Sequence, residues 1–298
     1  MSHIPVLLQE VIESLNLNDG KVIIDGTMGA GGHAKEIIKR ISSKGVYLGI
    51  ELDYKTFFQT SAILKEEFGD NFVKIITHHG NYKDAVVIAK NYKIDGIDGV
   101  LLDLGFSSME LEKSGRGFSF KNDEPLDMRY DIDNQITAAG VVNSLQEKEL
   151  ADIIWKYGEE RFSRQIAKGI VSARRIKRIL LTSQLIEIIQ NSVPGFYRKA
   201  RIHPATKTFQ ALRIYVNDEL GNLKKFLETI TQITSVSARI AIISFHSLED
   251  RMVKQFFVAL AKDKKAHLVT KKPIVASKQE IIQNPRSRSA KLRVIEII

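Results

Sequence analysis

Residues 21–34, which read KVIIDGTMGAGGHA, constrain the fold more than any other stretch of the chain. The run Val22, Ile23, Ile24 is β-branched and too short for a helix, which predicts a fully buried strand. Four glycines then fall within 26–32, where they permit positive φ angles and the close approach of a ligand. The next residues read AKEIIKRI, with isoleucines at helical spacing. Strand, glycine turn and helix in this order predict an α/β sheet that presents a nucleotide-like ligand at its strand ends.

Two acidic residues bear on the identity of that ligand. Gly29, Gly31 and Ala34 satisfy the loose glycine pattern of dinucleotide sites, so the turn alone is ambiguous. Asp25, directly before the glycines, would repel a pyrophosphate and favour a cationic ligand. Glu51 ends the next predicted strand, where an acid accepts hydrogen bonds from the ribose of NAD or S-adenosylmethionine alike. Asp25 thus favours S-adenosylmethionine. The alternative, that the glycine turn binds no ligand and only packs the helix on the strand, stays open from this segment.

Other predicted strands end in residues of a similar kind. Asp25, Glu51, Tyr82 and Asp103 each follow a predicted strand, and parallel sheets place their chemistry at these ends. Small residues with hydroxyl groups follow Asp103, and they predict where a second substrate meets the cofactor. The alternative is that a serine there only caps a helix. The predicted strands are 22–24, 46–50, 72–76 and 99–102.

The alternation of strands and helices stops near residue 108. Residues 109–212 carry amphipathic helical patterns and loops with almost no strand pattern, which predicts a helical insertion. Thr182 or Ser183 is the expected cap of one of its helices. A buried strand is predicted at 238–245, and a last one in KLRVIEII. The helix predicted over 52–68 has four expected inward positions: Phe57, Ala62, Ile63 and Phe68.

The charge balance favours an anionic partner. Lysine and arginine number 44 against 35 acidic residues, a net charge of +9 over 298 residues. Nucleic acid attracts such an excess, although many basic proteins bind none. Two stretches, 197–213 and 284–293, are rich in lysine and arginine and contain no acid.

Other features of composition exclude several classes of site. The chain has no cysteine, which excludes disulfides, thiolate metal sites and a cysteine nucleophile. Its seven histidines lack ligand spacing, so no metal site is predicted. No apolar run is long enough to span a bilayer, and MSHIPVLLQEVIESL lacks the basic leader of a signal peptide. We therefore expect a cytoplasmic protein with no membrane partner.

Sequence blocks along the whole chain resemble one family, the bacterial small-subunit ribosomal RNA cytosine-N4 methyltransferases (RsmH/MraW type). The set is highly specific because it runs from end to end in the family's order. The blocks are HIPVLLQE (3–10), DGTMGAGGHA (25–34), LLDLGFSS (101–108), GRGFSF (115–120), PLDMRYD (125–131), YGEERF (157–162), HPATKTFQALRI (203–214), ISFHSLEDR (243–251) and NPRSRSAKLR (284–293).

The resemblance implies a fold and an activity. The fold is a class I, Rossmann-like methyltransferase core with a mostly parallel seven-stranded sheet, formed by 1–108 and 213–298. The helical domain at 109–212 interrupts it and is the expected RNA-recognition domain. S-adenosylmethionine is the implied methyl donor. The implied substrate is a cytidine at the decoding centre, methylated on its exocyclic N4, in free ribosomal RNA or in the assembled small subunit.

The resemblance also implies which residues contact the cofactor. Glu51 departs from the family pattern because aspartate is common there, so the ribose contact would use a longer side chain. Glu110 stands where an amide is frequent, which puts that contact in doubt. The implied contacts are Gly31, Gly32, His33, Glu51, Tyr82, Asp103 and Glu110.

The reaction needs groups that handle protons and present the base. Because the cytosine amine delocalises its lone pair, an acceptor for an N4 hydrogen would assist attack. We expect Ser107 or backbone carbonyls of 103–108 to supply it, and we interpret Asp103 as a cofactor anchor. His246 is the other proton carrier, although a structural histidine is the alternative.

RNA contacts need aromatic and cationic side chains. The candidates for base stacking are Phe106, Phe118 and Phe120, although core packing is the alternative for each. The candidate phosphate contacts are Arg116, Arg129, Arg198, Lys199, Arg201, Lys207, Arg286, Arg288 and Lys291.

Two other functions compete with an RNA methyltransferase. A nicotinamide-dependent oxidoreductase would use the same glycine turn, but Asp25 and the basic stretches argue against it. A ribosome-assembly protein that kept the fold would bind RNA without methyl transfer. Homodimerisation stays open.

Overall fold

The computed structural model describes residues 4–69, 73–105, 114–119 and 122–298. Contacts divide the chain into two compact units, Met1–Ser107 with Leu220–Ile298, and Ser108–Glu219. The boundary expected from sequence at 212/213 differs from the observed one because a helix there packs on earlier helices of the second unit. That helix, Thr206–Val216, is therefore part of the second unit.

The first unit is built on a seven-stranded sheet in the order β3-β2-β1-β4-β5-β7-β6. The neighbours from β3 to β5 pair in parallel, while β7 runs antiparallel to both β5 and β6. The predicted α/β sheet is confirmed. The third strand begins later than predicted, and the three-residue β6 is too short to leave a sequence pattern. The strands are β1 Val22–Asp25, β2 Val46–Glu51, β3 Lys74–His79, β4 Ile97–Asp103, β5 Thr234–Ser244, β6 Ala266–Leu268 and β7 Lys291–Ile297.

The helices of the described residues flank this sheet or form the second unit. Helices α5 to α10 belong to the second unit, and the others to the first. In chain order they are α1 Leu8–Leu15, α2 Gly32–Ile41, α3 Tyr54–Phe68, α4 Ala85–Asn91, α5 Ala138–Ser144, α6 Glu147–Gly158, α7 Ser163–Ile176, α8 Thr182–Ser192, α9 Gly195–Arg198, α10 Thr206–Val216, α11 Glu219–Ile230, α12 Ser247–Lys262 and α13 Lys278–Gln283. Short 3₁₀ helices span Ser42–Lys44, Tyr82–Asp84 and Pro285–Ser289.

Both faces of the sheet are covered by apolar cores. Successive residues of a strand point to opposite faces, so Ile23 and Leu101 join one hydrophobic cluster while Ile24 and Leu102 join the other. All four side chains are fully buried, and each contributes about 1.5–3 kcal/mol of transfer free energy. Burial on both faces explains why these strands are continuous apolar runs in the sequence.

Helix α3 turns a different face inward from the predicted one. Ala62 and Ile63 are exposed, so these two predicted positions were wrong, while Phe57 and Phe68 pack partly against the core. The error has a physical reason, because two of the three buried residues are threonines and apolar periodicity does not detect them. The buried positions are Thr56, Thr60 and Leu64.

The second unit is helical and has its own apolar core. Thr182 or Ser183 was predicted to cap its helix α8, and this prediction was wrong, because Leu181 is the residue that precedes the helix. The Gln184 side chain accepts from the backbone N–H of Leu181, the residue before the helix, at 3.0 Å. The Thr182 hydroxyl instead accepts from the N–H of Glu124 at 3.1 Å. On α6 of the same unit, Trp155 is exposed.

Candidate active site and nucleic-acid interface

The strand-end acids lie on neighbouring strands of the first unit. Strand β1 pairs with β2 on one side and with β4 on the other, so their carboxyl ends are adjacent. These ends carry Asp25, Glu51 and Asp103. Asp25 is buried, and Glu51 and Asp103 are half-buried, so a proton or a nearby cation stabilises each of these carboxyl groups.

Asp25 serves the glycine turn from inside the sheet. Its carboxylate accepts from the Tyr47 hydroxyl at 2.9 Å and from the Thr27 N–H at 3.1 Å. Burial raises the pKa of Asp25 to about 6, although these two hydrogen bonds act in the opposite direction and lower it. Because both oxygens have protein partners, Asp25 stabilises the glycine turn, and its preference for a cationic ligand stays a prediction.

Glu51 joins β2 to the glycine turn. One carboxylate oxygen accepts from the Asp53 N–H at 2.8 Å and the other from the Gly29 N–H at 2.9 Å. Burial raises the pKa of Glu51 to about 7. From α3, the Thr60 hydroxyl donates to the Gly29 carbonyl at 2.7 Å, so both backbone groups of this glycine are fixed. The polar inward face of α3 therefore has a function, which is to hold the turn.

Asp103 is tied to the same turn and to His33. Its N–H donates to the Thr27 hydroxyl at 2.6 Å, and its Oδ1 accepts from the Gly105 N–H at 3.0 Å. Its Oδ2 lies 3.8 Å from Nδ1 of His33, whose Nε2–H donates to the Val6 carbonyl at 3.1 Å. Burial raises the pKa of Asp103 to about 7. A proton or a cation beside this carboxyl therefore stabilises it.

Two glycines of the turn allow other parts of the chain to pack against it. A Cβ on Gly26 would lie 2.4 Å from Leu102 and 3.0 Å from the Cβ of Tyr82. A Cβ on Gly32 would lie 2.3 Å from the ring of Pro5. Tyr82, in the 3₁₀ helix after β3, is thereby held beside the turn. The space that a Cβ would take at these glycines is filled by protein, and contact of the cofactor with Gly32 stays a prediction.

His246 is placed as a helix cap. It precedes α12, and its Nδ1 accepts from the Glu249 N–H at 3.4 Å. The Glu249 carboxylate in turn accepts from the N–H of Phe245 at 2.9 Å and of His246 at 3.3 Å. This reciprocal arrangement supports the structural interpretation of His246. Four other predicted site residues, Phe106, Ser107, Glu110 and Phe120, lie outside the described residues.

Two predicted phosphate contacts of the second unit bond within their own loop. Arg116 donates to the carbonyls of Arg129 and Tyr130 at 2.9 and 3.0 Å. Arg129 donates to both carboxylate oxygens of Asp127 at 2.8 Å. Phe118, a predicted stacking residue, is itself stacked on Tyr130 with ring centroids 5.1 Å apart. These residues order the charged loop, and their contact with RNA stays a prediction.

The other predicted cations differ in exposure. Arg198, Lys199 and Arg201 of the second unit are exposed, and their side chains form no ion pair with any described residue. Lys207 donates to the carbonyl of Glu159 at 2.9 Å.

In the first unit, Arg288 is exposed and Arg286 is half-buried. Lys291 bonds to Asp250 at 3.1 Å, and Arg293 bonds to the same carboxylate at 2.7 Å. The cations of 284–293 are therefore partly neutralised. Of the two acid-free stretches, 197–213 leaves more cations available to a partner.

A third basic stretch was missed from sequence. Residues 163–186 contain six lysine or arginine residues and no acid, a signal as strong as that of 197–213 or 284–293. It was missed because the stretch was interpreted only as an amphipathic helix. The contact of Arg161 with aromatic rings was also not predicted, because its partners at 196 and 197 are distant in sequence.

The residues of the first unit fit S-adenosylmethionine. This molecule carries a sulfonium and an ammonium, and a cation beside a buried carboxyl lowers the pKa of that carboxyl. Burial raises the pKa values of Glu51 and Asp103 to about 7, so these groups gain most from a cationic neighbour. The carboxylates supply acceptors for the positive groups and for ribose hydroxyls.

Sheet order, the single antiparallel strand and the strand-end acids define a class I, Rossmann-like methyltransferase fold. A model of the MraW methylase family matches residues 1–298. The chain belongs to the MraW methylase family. With this fold and family, its cofactor is S-adenosylmethionine.

Known proteins are similar to this chain over its full length. Ribosomal RNA small subunit methyltransferase H of Dictyoglomus thermophilum is 45% identical, covering 99% of this chain and 96% of the relative. The protein of that name from Syntrophotalea carbinolica is 42% identical, covering 98% and 97% respectively. That from Clostridioides difficile is 43% identical, covering 99% of each. Among the described residues, no helix is both long and apolar enough to cross a membrane.

Proposed function

We propose that this chain transfers a methyl group from S-adenosylmethionine to ribosomal RNA of the small subunit. The proposed acceptor is the exocyclic N4 of a cytidine at the decoding centre. The observation that carries the proposal is full-length similarity to small-subunit ribosomal RNA methyltransferases, at 45% identity for one of them. The three strand-end acids support a cationic methyl donor. The choice of N4 rests on the family resemblance of the sequence blocks.

On the cofactor side, the protein binds and orients. S-adenosylmethionine supplies a methyl group activated on a positively charged sulfonium. Asp103 and Glu51 are proposed to accept its positive and ribose groups, with Gly31, Gly32, His33 and Tyr82 around them. Glu110 is a further proposed cofactor contact, which rests on the family resemblance alone. Because burial raises the pKa of Asp103 to about 7, a cation that binds beside it favours the ionised carboxylate.

On the substrate side, the protein positions a weak nucleophile. Oriented contact between two reactants can supply much of a displacement's rate enhancement. An acceptor for one N4 hydrogen increases the electron density available for attack, and we assign it to Ser107 or to carbonyls of 103–108. The same loop is the candidate for removing the proton afterwards. His246 is the second candidate proton carrier, and the capping of α12 is its alternative role.

The second unit is proposed to recognise RNA. It corresponds to the helical insertion expected at 109–212, and it carries the exposed cations Arg198, Lys199 and Arg201. Phosphate neutralisation by such side chains gives sequence-independent affinity. Arg286, Arg288 and Lys291 of the first unit remain further candidates. A cytoplasmic location and a homodimer are compatible with this function.

The test is methyl transfer from labelled S-adenosylmethionine to small subunits from cells lacking this protein, followed by nucleoside analysis. We expect label in N4-methylcytidine. Label in another nucleoside would keep the methyltransferase and overturn the proposed acceptor. No label in subunits or free RNA, with cofactor binding demonstrated, would favour the assembly-protein alternative.

A further inference from the structure

Arg161 of the second unit lies over three aromatic rings. Its guanidinium carbon is 4.8 Å from the ring centroid of Phe162, 5.2 Å from that of Tyr197 and 5.5 Å from that of Phe196. Arg161 is itself exposed. We call these four residues the Arg161 platform. A planar cation over aromatic faces is the arrangement on which a further planar ring can stack.

The base of the platform is fixed by a buried acid. Glu160 is fully buried and accepts from the N–H of Phe162 at 2.9 Å. Its other carboxylate oxygen accepts the hydroxyl of Tyr197. Burial and this carboxylate raise the pKa of Tyr197 to about 12. Phe162 and Tyr197 thus have a structural anchor that does not involve Phe196.

Phe196 is the part of the platform that packing does not explain. Its side chain is 66% exposed, and its ring meets Phe162 edge-on at 6.3 Å. One exposed phenylalanine is ordinary. Here it adjoins Arg161, and the exposed cations Arg198, Lys199 and Arg201 follow it in the chain.

Charge selects the class of occupant. Residues 161–217 contain twelve lysine or arginine residues and a single acid, Glu187. An apolar protein partner would not require that excess, whereas a nucleotide combines a stacking ring with a negative phosphate. We propose that the Arg161 platform stacks an unpaired base of RNA, with Arg198, Lys199 and Arg201 on the adjoining phosphates. The inference rests on the proposed function and adds a contact separate from the methylated base.

Variants of the Arg161 platform distinguish the contribution of base stacking to RNA affinity from the contribution of charge. The probe is a fluorescein-labelled single-stranded oligocytidylate, titrated with the full chain at several salt concentrations. Phe196→Ala removes a stacking ring but no charge, so affinity falls about five- to 150-fold with the salt slope unchanged. Replacing Arg198, Lys199 and Arg201 together by alanine lowers the slope, by about 0.7 for each phosphate that is no longer neutralised.

Matched variants separate stacking from general effects. Phe58 of the first unit is 65% exposed, so Phe58→Ala controls for loss of an exposed ring and leaves affinity unchanged. Phe196→Trp keeps the stacking face and binds as the wild type, whereas Phe196→Leu keeps apolar bulk and binds weakly. Wild-type affinity in both Phe196→Ala and Phe196→Leu would overturn the inference.

The outcome also separates this inference from the proposed function. If the wild type methylates small subunits and Phe196→Ala binds RNA normally, the platform is wrong and the function stands. If Phe196→Ala weakens RNA binding but the wild type methylates nothing, the function is wrong and the platform stands. If the wild type does not bind the probe, the platform is overturned whatever the methylation result.

Discussion

At the scale of single residues, the acids at the strand ends are protonated more readily than free carboxyls. Burial raises the pKa to about 6 for Asp25 and about 7 for Glu51 and Asp103. Since the folded chain holds these protons more tightly than the unfolded chain, stability without cofactor falls as pH rises from about 4 to about 7. A cationic ligand favours the ionised carboxyls, so its affinity rises over the upper part of the same interval.

Asp103→Asn tests this linkage. The amide can still accept from the Gly105 N–H, but it carries no charge at any pH. We expect S-adenosylmethionine affinity, measured by calorimetry, to be weaker than in the wild type at about pH 8 and to depend less on pH. In thermal unfolding without cofactor, the variant should be more stable than the wild type at that pH.

Asp263 provides the matched control, because its side chain is 62% exposed at the end of α12. Asp263→Asn should leave both affinity and its pH dependence unchanged. Equal affinities and equal pH profiles for Asp103→Asn and the wild type would refute the assignment of Asp103 as a cofactor anchor.

At the scale of elements, substitutions of His246 at the start of α12 can distinguish a capping role from a role in proton transfer. Loss of a helix cap costs about 0.5–2 kcal/mol. His246→Ala should therefore lower the free energy of unfolding by that amount. His246→Asn, which keeps a capping acceptor, should retain both stability and methyl transfer. Denaturant unfolding and turnover on small subunits measure the two effects. If both variants lost turnover equally while His246→Asn stayed fully stable, His246 would be a proton carrier.

Elements differed in how far sequence could predict them. Apolar runs identified the central strands, because these strands are buried on both faces. The pattern failed for α3, whose inward Thr60 bonds to the Gly29 carbonyl and not to an apolar neighbour. It failed again at α8, where Thr182 bonds to Glu124, a partner distant in sequence. A single sequence records what a side chain is but not which distant group it meets.

The same reasoning explains what was predicted of the candidate site. Strand ends are local features, so the order of Asp25, Glu51 and Asp103 was predictable. The Tyr47 hydroxyl that donates to Asp25 comes from the neighbouring strand β2, and the carbonyls that accept from Arg116 come from later in its own loop. These contacts give an acid and an arginine structural roles that the sequence did not predict.

At the scale of the whole molecule, charge is divided unevenly along the sequence of the second unit. Residues 108–160 contain six basic and twelve acidic residues, whereas 161–217 contain twelve basic residues and one acidic residue. The average over the unit conceals this division.

Replacing Arg175, Lys177 and Arg178 by alanine tests the basic stretch 163–186. We expect the slope of log affinity against log salt for RNA to decrease by about 0.7 for each phosphate left without its cation. The measurement is fluorescence anisotropy at several salt concentrations. Replacing the exposed Lys55, Lys65 and Lys90 of the first unit removes the same charge and should have a smaller effect. An equal change in the two triple variants would show that net charge, not its location, determines binding.

The exposed Trp155 on α6 has a practical consequence. It is the only tryptophan of the chain, and it belongs to the second unit. Selective excitation of indole emission therefore reports on that unit alone, without a label or a substitution. Quenching by oligonucleotides can be followed in the unmodified protein, and the intrinsic optical signal becomes a direct assay for the unit proposed to recognise RNA.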